Sequence, residues 1–216
     1  MPSARKILPT IGHLAMALDS TPKDLLTAVQ WDLKGKVLKA GSRSLVTQVD
    51  VGAHSYVFKQ YSPLAFRRRL RYALTRSRAR QSWENGQMLA DLGLPVIRPL
   101  AFFEELKLGI PQRSLLIMPF QPGTPIDEYP QLTQIQPILR KVFMKMAQHQ
   151  ITHGDLKATN IIIDEKAQPH FIDIDASQAH SKKSSYRKAR KKDEELFLKN
   201  WHDHPENRQI FEGVFS

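Results

Sequence analysis

One polar segment restricts the possible folds of this chain more than any other feature. Residues 153–160 read HGDLKATN, and they lie between an apolar stripe of helical period and the short apolar run NIII (160–163). Thirteen residues beyond Asn160, Asp173 lies in a second apolar run, FIDID. The order of helix, polar loop and short strands indicates a mixed helix and sheet structure in which the loop carries the chemistry.

Five runs in the first half of the chain are typical of β-strands. From Lys34 onward, Gly41 and Gly52 separate the runs KVLKA, SLVTQVDV and SYVFKQY, which are rich in β-branched and aromatic residues. They predict an antiparallel meander of three strands. The runs IRPLAFFEE and SLLIMPF (114–120) add two more, so we expect a five-stranded sheet.

Helical patterns surround and follow these strands. Residues 64–92 read as a helix that ends at Gly93, and residues 132–149 form the clearest helix because apolar side chains recur there every three or four positions. Short strands are predicted at 160–163 and 170–175. The tail from Glu194 onward is expected to be helical at first and then irregular.

A breaker cluster, QPGTP, divides the chain after residue 120. The sequence therefore predicts an α+β fold with an N-terminal extension over residues 1–32, a sheet-rich part over 33–120 and a short, mostly helical part over 121–216.

Positive charge is concentrated in two segments. The formal net charge is +11, yet residues 67–80 and 182–192 each hold seven basic residues and no acidic one. Without them the chain has more acidic than basic residues, so the net positive charge of the protein comes from these two segments. It predicts a phosphate-bearing partner, namely nucleic acid, an anionic membrane face or a phosphorylated glycan.

Other classes are excluded by what the sequence lacks. The absence of cysteine excludes a disulfide scaffold, a thiolate metal site and a cysteine nucleophile. No apolar run reaches 18 residues, so a transmembrane helix is not expected.

The HGDLKATN loop and the following Asp173 resemble the catalytic loop and the metal-binding aspartate of the protein kinase-like superfamily. The resemblance implies a bilobal fold that uses ATP and Mg²⁺. It implies that Asp155 orients the acceptor hydroxyl and accepts its proton, while Lys157 reaches the transferred phosphate. Asn160 and Asp173 would supply the oxygen ligands that Mg²⁺ prefers.

A kinase-like site also needs a lysine on the third strand and an acid on the next helix. Lys59 lies in the third run, and Glu84 is the only acidic residue between Asp50 and Asp91. We expect a Lys59–Glu84 pair that holds the lysine against the α- and β-phosphates.

Two further features of such sites follow from position. Met118 and Phe120 fall where kinase-like proteins bind adenine through backbone groups. A glycine-rich phosphate loop is missing, and KAGSRSLV (39–46) stands in its place. Only 43 residues follow Asp173, so we do not expect a protein-docking surface of the ordinary kinase type.

Three segments sharpen the resemblance to the lipopolysaccharide core kinases, which phosphorylate Kdo or heptose. They are VFKQY (57–61), SRARQSWE (77–84) and GLPVIRPL (93–100). The resemblance implies that ATP phosphorylates a sugar hydroxyl of lipid A-core or a related anionic glycan. It also implies a cytoplasmic enzyme, peripheral at the inner face of the inner membrane. The runs 67–80 and 182–192 would bind that anionic surface, without a role for nucleic acid.

Three alternatives remain open from the residues. A small atypical protein kinase acting on RNA-associated proteins shares the loop, and its basic runs would bind nucleic acid. A non-catalytic kinase-like binding module is disfavoured because the acid, amide and lysine positions are all present. An antibiotic phosphotransferase has a larger C-terminal lobe.

Overall fold

The computed structural model describes residues 35–62, 77–107 and 110–215. The strands are β1 (Lys36–Ala40), β2 (Ser44–Val51), β3 (His54–Tyr61), β4 (Ala101–Lys107), β5 (Ile110–Pro119), β6 (Thr124–Pro125), β7 (Ile151–Thr152), β8 (Ile161–Ile163), β9 (Pro169–Phe171) and β10 (Gln178–Ala179). The helices are α1 (Arg78–Asp91), α2 (Leu132–Gln148), α3 (Lys183–Lys199) and α4 (Pro205–Phe211), and single 3₁₀ turns lie at Ala158–Asn160 and Ile174–Ala176.

Contacts divide the chain into two compact units. The first comprises residues 1–83 and 99–120, and the second comprises residues 84–98 and 121–216. The predicted extension over 1–32 lies outside the described residues, as do residues 67–76 of the first basic run.

The first unit contains the predicted five-stranded sheet. All its pairings are antiparallel, in the order β1-β2-β3-β5-β4, so the expected meander and the two added strands are confirmed. Phe58 points to one face of the sheet, where it packs with Val49 and Ile117. Tyr61 lies on the opposite face with Ala79 of α1. The sheet therefore has apolar contacts on both faces.

Helix α1 ends as the sequence predicts. Gly93 has φ +65° and donates to Ala90, while the Leu94 N–H donates to the Leu89 carbonyl at 3.0 Å. These two bonds form a Schellman cap, which favours glycine because its backbone is left-handed. Of the predicted helix over 64–92, residues 64–76 lie outside the described part.

The second unit is built around α2. The predicted apolar stripe is confirmed, since its members are all buried: Leu132, Ile135, Leu139, Val142, Phe143 and Met146. Phe143 stacks on Phe215 with ring centroids 4.3 Å apart, and it meets Phe197 of α3 edge-on. Aromatic pairs of this kind add specific geometry to the burial of apolar area.

Two predictions in this unit are wrong. The strand expected over 170–175 ends at Phe171, because Asp173 has φ +58° and cannot continue an extended chain. The tail is helical from Glu194 to Lys199, as predicted, but the helix already begins at Lys183, and a further helix, α4, lies in the part expected to be irregular. In the part of the chain described here, no helix is long and apolar enough to cross a membrane.

Candidate active site

The loop over residues 153–160 is anchored by its apolar members. Leu156 and Ala158 are each 1% exposed, whereas Lys157 between them is exposed. The loop follows β7, which pairs with β10, and it leads directly into β8. The buried residues fix the backbone, so the polar side chains between them are presented from a rigid support.

Asp155, Lys157 and Asn160 meet in this loop. The Lys157 Nζ lies 2.8 Å from Asp155 Oδ1 and donates to Oδ2 at 3.0 Å. The Asn160 Nδ2 donates to the Asp155 carbonyl at 2.8 Å and lies 3.4 Å from Oδ2. About a third of the Asp155 side chain is exposed, so the carboxylate is both held in place and open to an incoming hydroxyl.

The orientation of the Asn160 amide suits a metal ligand. Both of its hydrogen bonds use Nδ2, and its Oδ1 accepts none from any described residue although Asn160 is only 5% exposed. An amide oxygen fixed in this way is a hard neutral donor of the type that Mg²⁺ accepts. The residues present therefore fit the ion.

A backbone hydrogen bond links the segment of Asp173 to the end of the loop. The Ile172 N–H donates to the Asn160 carbonyl at 2.9 Å, which ties the residue before Asp173 to the end of the loop. Asp173 itself is left-handed, with φ +58° and ψ +43°. Aspartate adopts this region more readily than most residues, but the conformation still costs energy and is concentrated at functional sites.

No group of three or more His, Asp or Glu side chains that could hold a metal ion occurs within residues 35–62, 77–107 and 110–215. A Mg²⁺ site of one carboxylate and one amide needs no such group, because the ion keeps waters and binds substrate phosphates.

His153 supports the loop from inside. It is 2% exposed, its Nε2 lies 3.1 Å from the Ile172 carbonyl, and the Asp155 N–H donates to its Nδ1 at 3.4 Å. Burial lowers the pKa of His153, so the neutral ring donates through Nε2 and accepts through Nδ1. His153 therefore holds the loop from within the protein.

Asp193 of α3 is a site residue that sequence reasoning missed. It accepts hydrogen bonds from the His153 N–H at 2.6 Å and from the Gly154 N–H at 2.9 Å. It is 5% exposed, and burial raises its pKa to about 6 in spite of these bonds. A buried carboxylate that grips the backbone beside Asp155 is a positioning residue. Its neighbours in the sequence are lysines and glutamates, so the sequence pattern did not distinguish Asp193 from an exposed charged residue.

Gly154 lets the loop approach the turn that follows Asp173. Its φ is +83°, and a Cβ there would collide with the Ala176 carbonyl oxygen. Ser177 Oγ donates to the His153 carbonyl at 3.2 Å. Asn85 of α1 donates to the carbonyls of Ile174 and Ser177 at 3.1 and 2.9 Å. The loop and the Asp173 turn are therefore fixed together.

The remaining predicted site residues are Lys59, Met118 and Phe120 in the first unit and Glu84 in the second. Lys59 is 6% exposed on β3, with its Nζ 5.2 Å from the centre of the Tyr61 ring. Met118 pairs with Val57 across the sheet, and the Phe120 N–H donates to the Ser55 carbonyl at 3.0 Å. The Lys59–Glu84 pair and the adenine contacts stay predictions.

Comparison with known families gives one match over most of the chain. Residues 30–209 match the model of the lipopolysaccharide kinase (Kdo/WaaP) family. Comparison with curated proteins gave no match. The matched range contains every predicted site residue, and it does not favour the alternative of a small atypical protein kinase.

Proposed function

Because the chain belongs to the lipopolysaccharide kinase (Kdo/WaaP) family, we propose that it phosphorylates a sugar hydroxyl, on Kdo or heptose, of the lipopolysaccharide inner core. Family membership makes the chain a phosphotransferase. The observation that carries the finer proposal is the contact of Asp155 with Lys157 and Asn160 in one anchored loop.

Asp155 acts as the catalytic base in this proposal. Its partly exposed carboxylate accepts a hydrogen bond from the acceptor hydroxyl and takes the proton as the sugar oxygen bonds to the γ-phosphorus of ATP. The bond from that phosphorus to the ADP oxygen breaks in the same transfer. The ammonium of Lys157 lies 2.8 Å from the Asp155 carboxylate, and its side chain is 48% exposed. In the reaction it stabilises the negative charge on the transferred group.

Asn160 Oδ1 and the Asp173 carboxylate would hold Mg²⁺, which supplies charge neutralisation at the phosphates. We assign Lys59 to the α- and β-phosphates, with Glu84 as its support, and the backbone near Met118 and Phe120 to adenine. These assignments rest on the sequence resemblance and on family membership.

An acceptor screen tests the proposal. Purified protein with Mg²⁺ and labelled ATP is offered deacylated lipopolysaccharide core, RNA-associated proteins and aminoglycosides. We expect label on the glycan, and Asp155→Asn should reduce it by roughly 10²–10⁴-fold because the base is lost while the size is kept. Asp203→Asn, the same change at an exposed position, is the matched control. Label on protein and none on glycan would contradict the proposal.

We further propose that the enzyme is peripheral at the inner face of the inner membrane. The basic runs 67–80 and 182–192 support this, and each Lys or Arg near an anionic surface contributes about 1 kcal/mol. Reversing the charge of Arg67, Arg68 and Arg69 should weaken binding to phosphatidylserine vesicles in a salt-dependent way. Binding that persists at high salt would show that the attachment is not electrostatic.

A further inference from the structure

Asn85 of α1 contacts the turn that follows Asp173. Its Nδ2 donates to the Ile174 carbonyl at 3.1 Å and to the Ser177 carbonyl at 2.9 Å. An amide NH₂ group has two hydrogens, so each carbonyl can receive one of them. Ile174 begins the 3₁₀ turn and Ser177 directly follows it, so a single side chain holds both ends of the turn.

Helix α1 gives Asn85 a fixed support. Leu89, four residues later in α1, is 3% exposed and belongs to the same apolar core as Ile174. Residues at this spacing lie on one face of a helix. Beyond the helix, the Gly93 carbonyl accepts a hydrogen bond from Lys145 of α2 at 3.1 Å. The side chain of Asn85 therefore starts from a helix that packing holds in place.

The backbone of Asp173 depends on contacts from outside its own segment. Its φ of +58° and ψ of +43° are left-handed, and a residue other than glycine keeps such a conformation only where the surrounding structure fixes it. The alternating run FIDID by itself favours a strand. Without those contacts Asp173 would relax toward the extended conformation, and the direction of its carboxylate would change.

The contacts lie on both sides of Asp173. Before it, the Ile172 N–H donates to the Asn160 carbonyl at 2.9 Å, which ties the chain to the catalytic loop. After it, the two hydrogen bonds from Asn85 tie the turn to α1. The conformation of Asp173 is therefore fixed by two separate elements, and Asn85 is the side chain through which α1 acts.

We propose that Asn85 is a positioning residue for Mg²⁺: by holding the turn, it keeps the Asp173 carboxylate where it would hold the ion together with Asn160. The inference rests on the proposed function, in which these two residues hold Mg²⁺, and it adds a residue that acts through Asp173. Loss of a group that orients a metal ligand typically costs about 10–100-fold in metal affinity. Asn85 should therefore affect the metal-dependent part of nucleotide binding.

Two matched variants test the inference. Asn85→Ala removes both hydrogen bonds to the turn. Asn200→Ala is the control, because Asn200 Nδ2 also donates to two carbonyls, those of Leu196 and Phe197, at 3.1 and 2.9 Å. Alanine favours helix, so both variants should fold, and thermal midpoints check this. If Asn85→Ala does not fold, Asn85→Ser and Asn200→Ser replace the pair, since serine keeps one short donor.

Isothermal titration with ADP, in Mg²⁺ and in EDTA, measures the contribution of the metal as the ratio of the two dissociation constants. The ratio should fall by about tenfold or more in Asn85→Ala, while the affinity for ADP in EDTA stays the same. Neither quantity should change in Asn200→Ala. Asp173→Asn removes the ligand itself, and adding Asn85→Ala to it should lower the ratio no further, because Asn85 acts through Asp173.

Equal falls of the ratio in the two alanine variants, or no fall in Asn85→Ala, would overturn the inference. An equal loss of ADP affinity with and without Mg²⁺ would overturn it also, since Asn85 would then support the nucleotide site as a whole. So would a further fall when Asn85→Ala is added to Asp173→Asn. ADP binding needs no acceptor, so failure of the proposed function is seen separately, as Mg²⁺-dependent ADP binding without glycan phosphorylation by the unmodified protein.

Discussion

Replacing Asp193 with asparagine tests the view that a buried carboxylate positions the catalytic loop. The side chain is 5% exposed and forms no ion pair with a described residue, and its charged form is stabilised only by the His153 and Gly154 N–H groups. Burial outweighs these bonds and raises the pKa from 3.8 to about 6. The ionised side chain therefore costs stability that the protonated one does not.

The sign and size of the effect follow from proton linkage. Because the folded protein holds this proton more tightly than the unfolded chain, stability is greatest below the unfolded pKa and falls as the pH rises through the folded value. A difference of about two pKa units corresponds to about 3 kcal/mol. About 2 kcal/mol of this lies between pH 4.5 and pH 7.

Urea unfolding of the unmodified protein and of Asp193→Asn across this range measures the effect. The variant should gain about 2 kcal/mol relative to the unmodified protein between pH 4.5 and pH 7. Comparing the two proteins cancels the opposite contribution of His153, whose lowered pKa makes the fold more stable as the pH rises. Asp203→Asn, the same change at an exposed position, is the matched control.

Activity should change in the other direction. An asparagine in the same place turns its NH₂ group toward one of the two N–H groups, of His153 or of Gly154, which now donate at 2.6 and 2.9 Å, so the loop shifts. Misplacement of a catalytic group by about 1 Å can cost roughly 10²-fold in rate. We expect kcat to fall with little change in the KM for ATP. A stability difference that does not vary with pH, or that varies with the opposite sign, would refute the reasoning.

Two other variants test separate parts of the site. Gly154→Ala should destabilise the protein by more than about 2 kcal/mol, because its left-handed backbone and the Ala176 carbonyl both exclude a Cβ. Gly41→Ala, where a Cβ would come no closer than 3.7 Å to another atom, should be near neutral in the same thermal denaturation assay. Lys59→Ala should weaken ATP binding by about tenfold or more, since a charged contact to phosphate is lost. Unchanged ATP affinity in a fluorescence titration would remove Lys59 from the nucleotide site.

The helices show which features of the fold the local sequence pattern can predict. The stripe of α2 was readable because its buried positions are all apolar, and the end of α1 was readable because Gly93 is the residue that a left-handed cap requires. The start of helix α3 could not be predicted in this way, because the buried positions of that helix are Tyr186, Asp193 and Phe197. A stripe that includes an aspartate and begins inside a run of seven basic residues has no apolar period to detect.

In the loop, too, the sequence predicted some features and missed others. Residue type and spacing predicted Asp155, Lys157, Asn160 and Asp173 before any coordinates, because phosphoryl transfer calls for an acid, a cation and oxygen donors at short separation. The strand predicted through Asp173 was wrong, since sequence propensity does not reveal that neighbouring contacts hold this residue in a left-handed conformation.

The sequence by itself determined the α+β class, the five strands of the sheet and the α2 core, and it predicts the residues that would carry the reaction. Each of these depends on local periodicity or on a motif confined to a few residues. Only the tertiary structure decided that Asp193, 38 residues after Asp155, holds the backbone beside it, and that Asn85 of α1 holds the turn after Asp173. Both depend on which distant segments pack together, and a carboxylate or an amide on a helix has the same appearance in sequence whether solvent or protein surrounds it.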